Sequence, residues 1–141
     1  MKEFEFFLKK GEVKKQKPDK NLSEATFKDS MDRLKFSKSL SKNTKPKYVL
    51  ENAYEAMREA ADSVLYQEGF KSYSHEASII YLAGKGLEEK EIIEFNRFRK
   101  IRNGIKYYGK DCDESDAESA IRFAERIIYE IKNILKNIKS R

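Results

Sequence analysis

The sequence contains no tryptophan, one cysteine, one histidine and two prolines. A single cysteine excludes a disulfide within the chain, and one Cys with one His cannot complete a conventional zinc site. No metal or cofactor is therefore expected. No apolar run approaches the roughly 18 residues that a membrane helix needs. The opening residues MKEFEFFLKK mix acids and lysines into a short apolar patch, without the apolar core of a secretion signal. No membrane association and a reduced, cytoplasmic setting are the expectations. With six glycines in 141 residues and 12% aromatic content, a solvated disordered chain is also excluded.

What is present is charge. Lys and Arg number 30 against 24 Asp and Glu, a net charge of +6, and charged residues make up 38% of the chain. The length fits one domain with one core. After Asp19 almost every segment has helical period. Leu22, Phe27, Met31, Leu34 and Leu40 predict a polar helix over 21–42, with Asn21 or Ser23 as its cap and Pro46 as the break after it. Leu50, Ala53, Met57, Ala60, Ala61, Val64 and Leu65 predict a second helix over 48–68, stopped by Gly69. Ser74 is a candidate N-cap for a short helix reaching Ala83 before Gly84 and Gly86. A fourth helix is predicted over 88–108, weakened by Gly104 and ended by Gly109. Ser115-Asp116-Ala117-Glu118 reads as a capping box for a fifth, carrying Ala120, Ile121, Ala124, Ile127, Ile128, Ile131, Leu135 and Ile138. The expectation is an all-α fold: an antiparallel up-and-down bundle of four long helices plus one short helix over 21–141. Residues 1–20 precede it as a basic N-terminal arm, with Phe4, Phe6, Phe7 and Leu8 available to pack. No useful β-alternation appears.

The positive charge is uneven. Arg33–Lys47 holds six basic residues and no acid, Lys90–Lys110 seven basic residues and two acids, and Asp111–Ser119 five acids and no base. Such runs are either solvated surface or phosphate-attracting patches. The fourth helix narrows the choice. With Phe98 at zero and about 100° per residue, Phe95, Ile101, Ile105 and Tyr108 form the apolar stripe, and Arg102 falls near 40°, inside its edge. Lys106, Arg99 and Asn103 follow at roughly 80°, 100° and 140°. An arginine at a core margin needs a partner, because burying it unpaired is very costly. Two readings follow: an internal salt bridge to an acid of the second helix such as Glu55 or Glu59, or an anion site.

The run Phe98-Arg99-Lys100-Ile101-Arg102-Asn103-Gly104-Ile105-Lys106-Tyr107-Tyr108-Gly109 resembles the signature of HEPN domains, in which an Arg, usually followed by Asn, precedes a His four to six residues on. The layout of the whole chain agrees with that resemblance. It implies a four- or five-helix bundle that dimerises with the two signatures lining one cleft. Many members are metal-independent endoribonucleases, often toxins paired with a nucleotidyltransferase antitoxin; others bind RNA or nucleotides without catalysis. Arg102 and Asn103 match the signature, but Tyr107 stands where the His would be, and Gly109 where a companion Tyr of the toxin subgroup would fall. A tyrosine with pKa near 10 is a poor base at pH 7, although it can hydrogen-bond or stack.

The resemblance with this departure implies an RNA- or nucleotide-binding homodimer, catalytically weak or inactive. Arg102, Asn103 and Tyr107 stand at the catalytic positions, and Arg99, Arg102 and Lys106 bind phosphate. The alternatives are a toxin-type endoribonuclease using Arg102, with a nucleotidyltransferase partner, and a structural dimerisation or partner-binding protein. His75 reads as a surface or capping residue with proton transfer as the rival role. Cys112 reads as incidental. Tyr66, Tyr73 and Tyr81 read as core or interface aromatics rather than a stacking platform.

Overall fold

Twelve side chains of one helix, Pro46–Glu68, are buried, and the rest of the chain is arranged around it. The computed structural model describes residues 2–40 and 44–139. Their elements are α1 (Phe4–Lys9), β1 (Val13–Lys15), α2 (Lys20–Ser39), α3 (Pro46–Glu68), β2 (Phe70–Ser72), α4 (His75–Tyr81) with a 3-10 turn at Leu82–Gly84, α5 (Glu89–Tyr107) and α6 (Glu114–Lys139). This is the expected all-α bundle of four long helices and a short one. To it are added a one-and-a-half-turn N-terminal helix and a two-stranded antiparallel ribbon, β1 on β2.

The core explains the arrangement. Leu50, Ala53, Tyr54, Met57, Ala60, Ala61 and Val64 of α3 are fully buried, as are Ala120, Ala124, Ile127 and Ile131 of α6 and Phe95 of α5. Alanines let α2, α3 and α6 approach closely; leucines, isoleucines and phenylalanines fill the gaps between them. The N-terminal segment includes a short helix that packs its phenylalanines against the bundle. Phe7 is buried with Val13 and Ala77, and Phe4 meets the rings of Phe70 and Tyr81 at 5.4 and 4.7 Å between centroids. A second apolar cluster thus ties α1 and the ribbon to α4.

Several boundaries differ from the sequence reading, each for a local reason. Asp19, not Asn21 or Ser23, caps α2, its carboxylate accepting from the Leu22 amide at 2.9 Å; Ser23 is buried instead. The expected end of that helix at Lys42 lies outside the described residues. Pro46 does not break the chain but opens α3, where its missing N–H costs nothing. The box at Ser115 is not used. Asp113 and Asp116 cap α6 reciprocally, each carboxylate accepting from the other's amide at 2.8 and 3.2 Å. Glu88 and Glu91 do the same for α5. The stop at Gly69 is as expected: its φ is +90°, and a Cβ there would lie 2.6 Å from the Gln16 carbonyl oxygen.

On α2 the buried face is largely polar. Ser23, Ser30 and Ser37 are buried, and their hydroxyls donate to the carbonyls of Ser63, Ala56 and Val49 at 2.7, 2.6 and 2.9 Å. The partners descend in sevens as the serines ascend in sevens, which is the signature of antiparallel pairing. By contrast Leu22 and Met31, two of the apolar residues that mark this helix in the sequence, are each 39% exposed.

Candidate functional site

The rotation of α5 is set by its aromatic residues. Phe95 and Phe98 pack on Phe123 of α6, with ring centroids 6.2 and 5.5 Å apart. That turns the next residue of the stripe, Arg102, toward α3, where it is 6% exposed. Tyr108, also read as part of the stripe, lies past the last helical turn and is 75% exposed.

Arg102 Nη2 donates to Glu55 Oε1 at 2.9 Å, so the ion pair with an acid of α3 is present. Its guanidinium also lies 5.7 Å from the Tyr54 ring centroid and 5.9 Å from that of Tyr107, on two sides. The other Glu55 oxygen accepts two bonds from Arg58 at 2.9 and 3.1 Å, and Arg58 continues to Asp62 at 2.9 Å. Asp62 accepts from the Ser78 hydroxyl of α4 at 2.8 Å. A chain of charge-assisted bonds therefore runs from α5 through α3 to α4 behind the arginine. Burial alone would raise the Glu55 carboxyl, but Arg58, by charge and hydrogen bond, and then Arg102 carry it below the usual range.

In front of Arg102 lies an open cleft of about 340 Å³, walled by Arg99, Arg102, Asn103 and Tyr107 of α5, by Ser74, His75 and Glu76 at the start of α4, and by Phe7 and Glu12. Of the five residues singled out on the fourth helix, four line this cleft. Lys106 does not; it is exposed at the rim, its amine 5.8 Å from the Tyr107 ring centroid. Arg99 is oriented by Asn96, which accepts from its Nε at 2.7 Å, and makes only a long contact of 3.5 Å with Glu76. The Asn103 carbonyl accepts from Arg102 at 3.4 Å, and its amide nitrogen has no partner among the described residues. Tyr107 is 62% exposed.

His75 is the residue that spacing concealed. Ser74 caps α4 as expected, accepting from the Ala77 amide at 3.2 Å. The imidazole that follows is no surface or capping group, however. It is half-buried on the cleft wall, with Nδ1 3.4 Å from the Tyr54 hydroxyl. Burial, then the charges of Arg58 and Arg102, push its pKa down to about 4, so it is a neutral imidazole at pH 7. Burial holds the Tyr54 hydroxyl above the usual phenol range, so it stays protonated. Glu55 and Tyr54 complete the site from α3. Their side was legible as one acid within reach of Arg102, but no motif marks His75.

The other candidates separate. Cys112 is half-buried away from the cleft, and burial, then Asp116, raise its thiol to about 11, which leaves it unreactive. Tyr81 belongs to the α1–β2 aromatic cluster and Tyr66 is half-buried, whereas Tyr73 is 63% exposed and not part of a core. Among the described residues no group of three or more His, Cys, Asp or Glu could hold a metal ion, and no helix is long and apolar enough to cross a membrane.

The arrangement can do two things chemically. Arg99, Arg102 and the Asn103 amide can donate to a phosphate, and a neutral imidazole stands on the facing wall. A family model for the HEPN domain matches residues 23–134, which includes every α4 and α5 residue of the cleft. Comparison with curated proteins and with solved structures gives no match. With four-fifths of its length matched, the chain belongs to the HEPN domain family.

Proposed function

We propose that the cleft binds the phosphate–ribose backbone of RNA or of a nucleotide, as a binding module with weak or no catalysis. The observation that carries this reading is Arg102. Its guanidinium is almost wholly desolvated, aimed by Glu55 at 2.9 Å, and shares one wall with Arg99 and the free amide of Asn103. A pre-aimed guanidinium in a poorly hydrated site binds phosphate more strongly than an exposed one. Tyr107, exposed beside it, offers a ring to stack on a base.

A second reading, a metal-independent endoribonuclease, is favoured by one observation: His75 is neutral and lines the same cleft. With Nδ1–H donated to the Tyr54 oxygen, Nε2 would be a base for a ribose 2′-OH, and Arg102 would stabilise the charge that develops on phosphorus. A nucleotidyltransferase partner goes with that reading. Both include pairing of two copies, for which light scattering should give twice the 16.6 kDa chain mass; a mass of one chain contradicts it.

A long unstructured RNA incubated with the protein in EDTA separates the two. The binding reading predicts a mobility shift with the RNA intact. Fragments ending in 2′,3′-cyclic phosphate, lost with His75→Ala and Arg102→Ala, would establish the nuclease. No shift and no cleavage would overturn both.

A further inference from the structure

The ribbon β1–β2 carries an arrangement that the fold does not require. In its register Lys14 faces Lys71 directly. Like charges directly opposite destabilise an antiparallel pair, and this ribbon has only three residue pairs with which to offset the cost. Neither lysine forms an ion pair among the described residues. Both amines lie near the ring of Tyr73, at 5.7 and 6.0 Å from its centroid, and that of Lys71 also donates to the Tyr66 hydroxyl at 3.4 Å. Tyr73 is 63% exposed, and its backbone N–H donates to the Glu12 carbonyl at 2.8 Å.

The pleat places this group relative to the cleft. Directly paired side chains share a face, so Lys14 and Lys71 project from one side of the ribbon, with the Tyr73 ring beside them and Glu12 just before β1. Glu12 also lines the Arg102 cleft. Tyr73 is two residues from His75, within about 7 Å along the chain. Lys14 also lines a trough of about 560 Å³ between α1 and β1, with Lys9, Lys15 and one acid, Glu5. An exposed ring flanked by two lysines without a carboxylate partner, beside the Arg102 cleft, has the parts of a single-strand binding surface: a stacking platform and a cationic track.

We propose that the outer face of the β1–β2 ribbon is a second subsite for single-stranded RNA. Tyr73 stacks on a base, and Lys14 and Lys71 hold the flanking phosphates of the strand whose neighbouring nucleotide occupies the Arg102 cleft. The inference rests on the reading of that cleft as a phosphate site, and it makes the ligand a strand rather than a single nucleotide. Glu12, the acid at the junction, opposes the strand's charge.

The test is fluorescence anisotropy with labelled oligouridine of about 15 nucleotides, a labelled diuridylate, and a duplex of the longer length. Tyr73→Ala and the Lys14→Ala/Lys71→Ala pair remove only exposed or half-exposed groups, and thermal melts confirm that they remain folded. Each should weaken the long strand at least about fivefold and leave the diuridylate unchanged. Glu12→Gln should tighten the long strand. Lys106→Ala, at the cleft rim, should weaken both lengths. Wild-type affinity of Tyr73→Ala for the long strand, with Lys106→Ala impaired, would overturn the ribbon subsite and leave the cleft standing. Equal affinity for duplex and single strand would also overturn it, since a paired base offers no free face. Binding of neither length by the wild type would overturn the cleft reading and the subsite together.

Discussion

Arg102 is held by a carboxylate that it shares with Arg58, so Glu55 positions two guanidinium groups at once. Removing that charge leaves Arg102 buried opposite an uncharged group. Glu55→Gln should therefore cost about 3 kcal/mol in urea unfolding. Glu59→Gln, which breaks only the pair with the more exposed Arg33, should cost under about 1 kcal/mol. Equal losses would show that the buried chain of bonds is not special. His75 supplies a pH test. Its pKa is about 4 folded against 6.5 ordinarily, so the unfolded chain binds more protons between those values. The stability it contributes is present above pH 6.5 and is lost as pH falls toward 4. His75→Gln should flatten that part of the stability–pH curve; an unchanged slope would place the imidazole in water. The need of Arg102 for a partner was legible from its angle on the helix. The approach of His75 was not, because it depends on how α4 and α5 are set against each other.

At the scale of elements, α3 and α6 were readable because apolar residues mark their buried faces. The buried face of α2 is marked by serines every seven residues, which hydropathy scores as surface. These small hydroxyls let α2 lie close to α3 and satisfy themselves on its carbonyls. Ser30→Ala should cost about 1 kcal/mol, the value of one hydrogen bond, because the space is kept. Ser30→Leu should cost about 1–3 kcal/mol by forcing the helices apart. Thermal melts of the two variants check the order; a milder effect from leucine would mean that the contact is loose. The cap of α6 also escaped sequence reading, since Asp113 and Ser115 are equally good caps and only the start of α6 decides between them. The ribbon was missed because three-residue strands are too short to show alternation.

For the molecule as a whole, a net charge of +6 does not by itself identify a ligand, and many of the cations are paired with acids in place. Arg33 pairs with Glu59, Lys38 with Glu125, and Arg97 with Glu94. What the fold adds is concentration: Arg99, Arg102 and Lys106 along one edge of α5, and Lys14 opposite Lys71 on the ribbon. The measurement that tests this most directly is the affinity for single-stranded RNA as a function of salt, for the wild type and for Arg99→Gln/Lys106→Ala. The cleft reading predicts binding that weakens steeply with salt, and a log–log slope shallower in the double variant by about 0.7 for each cation removed. An unchanged slope and affinity in the double variant would contradict the assignment of the cleft as the phosphate site.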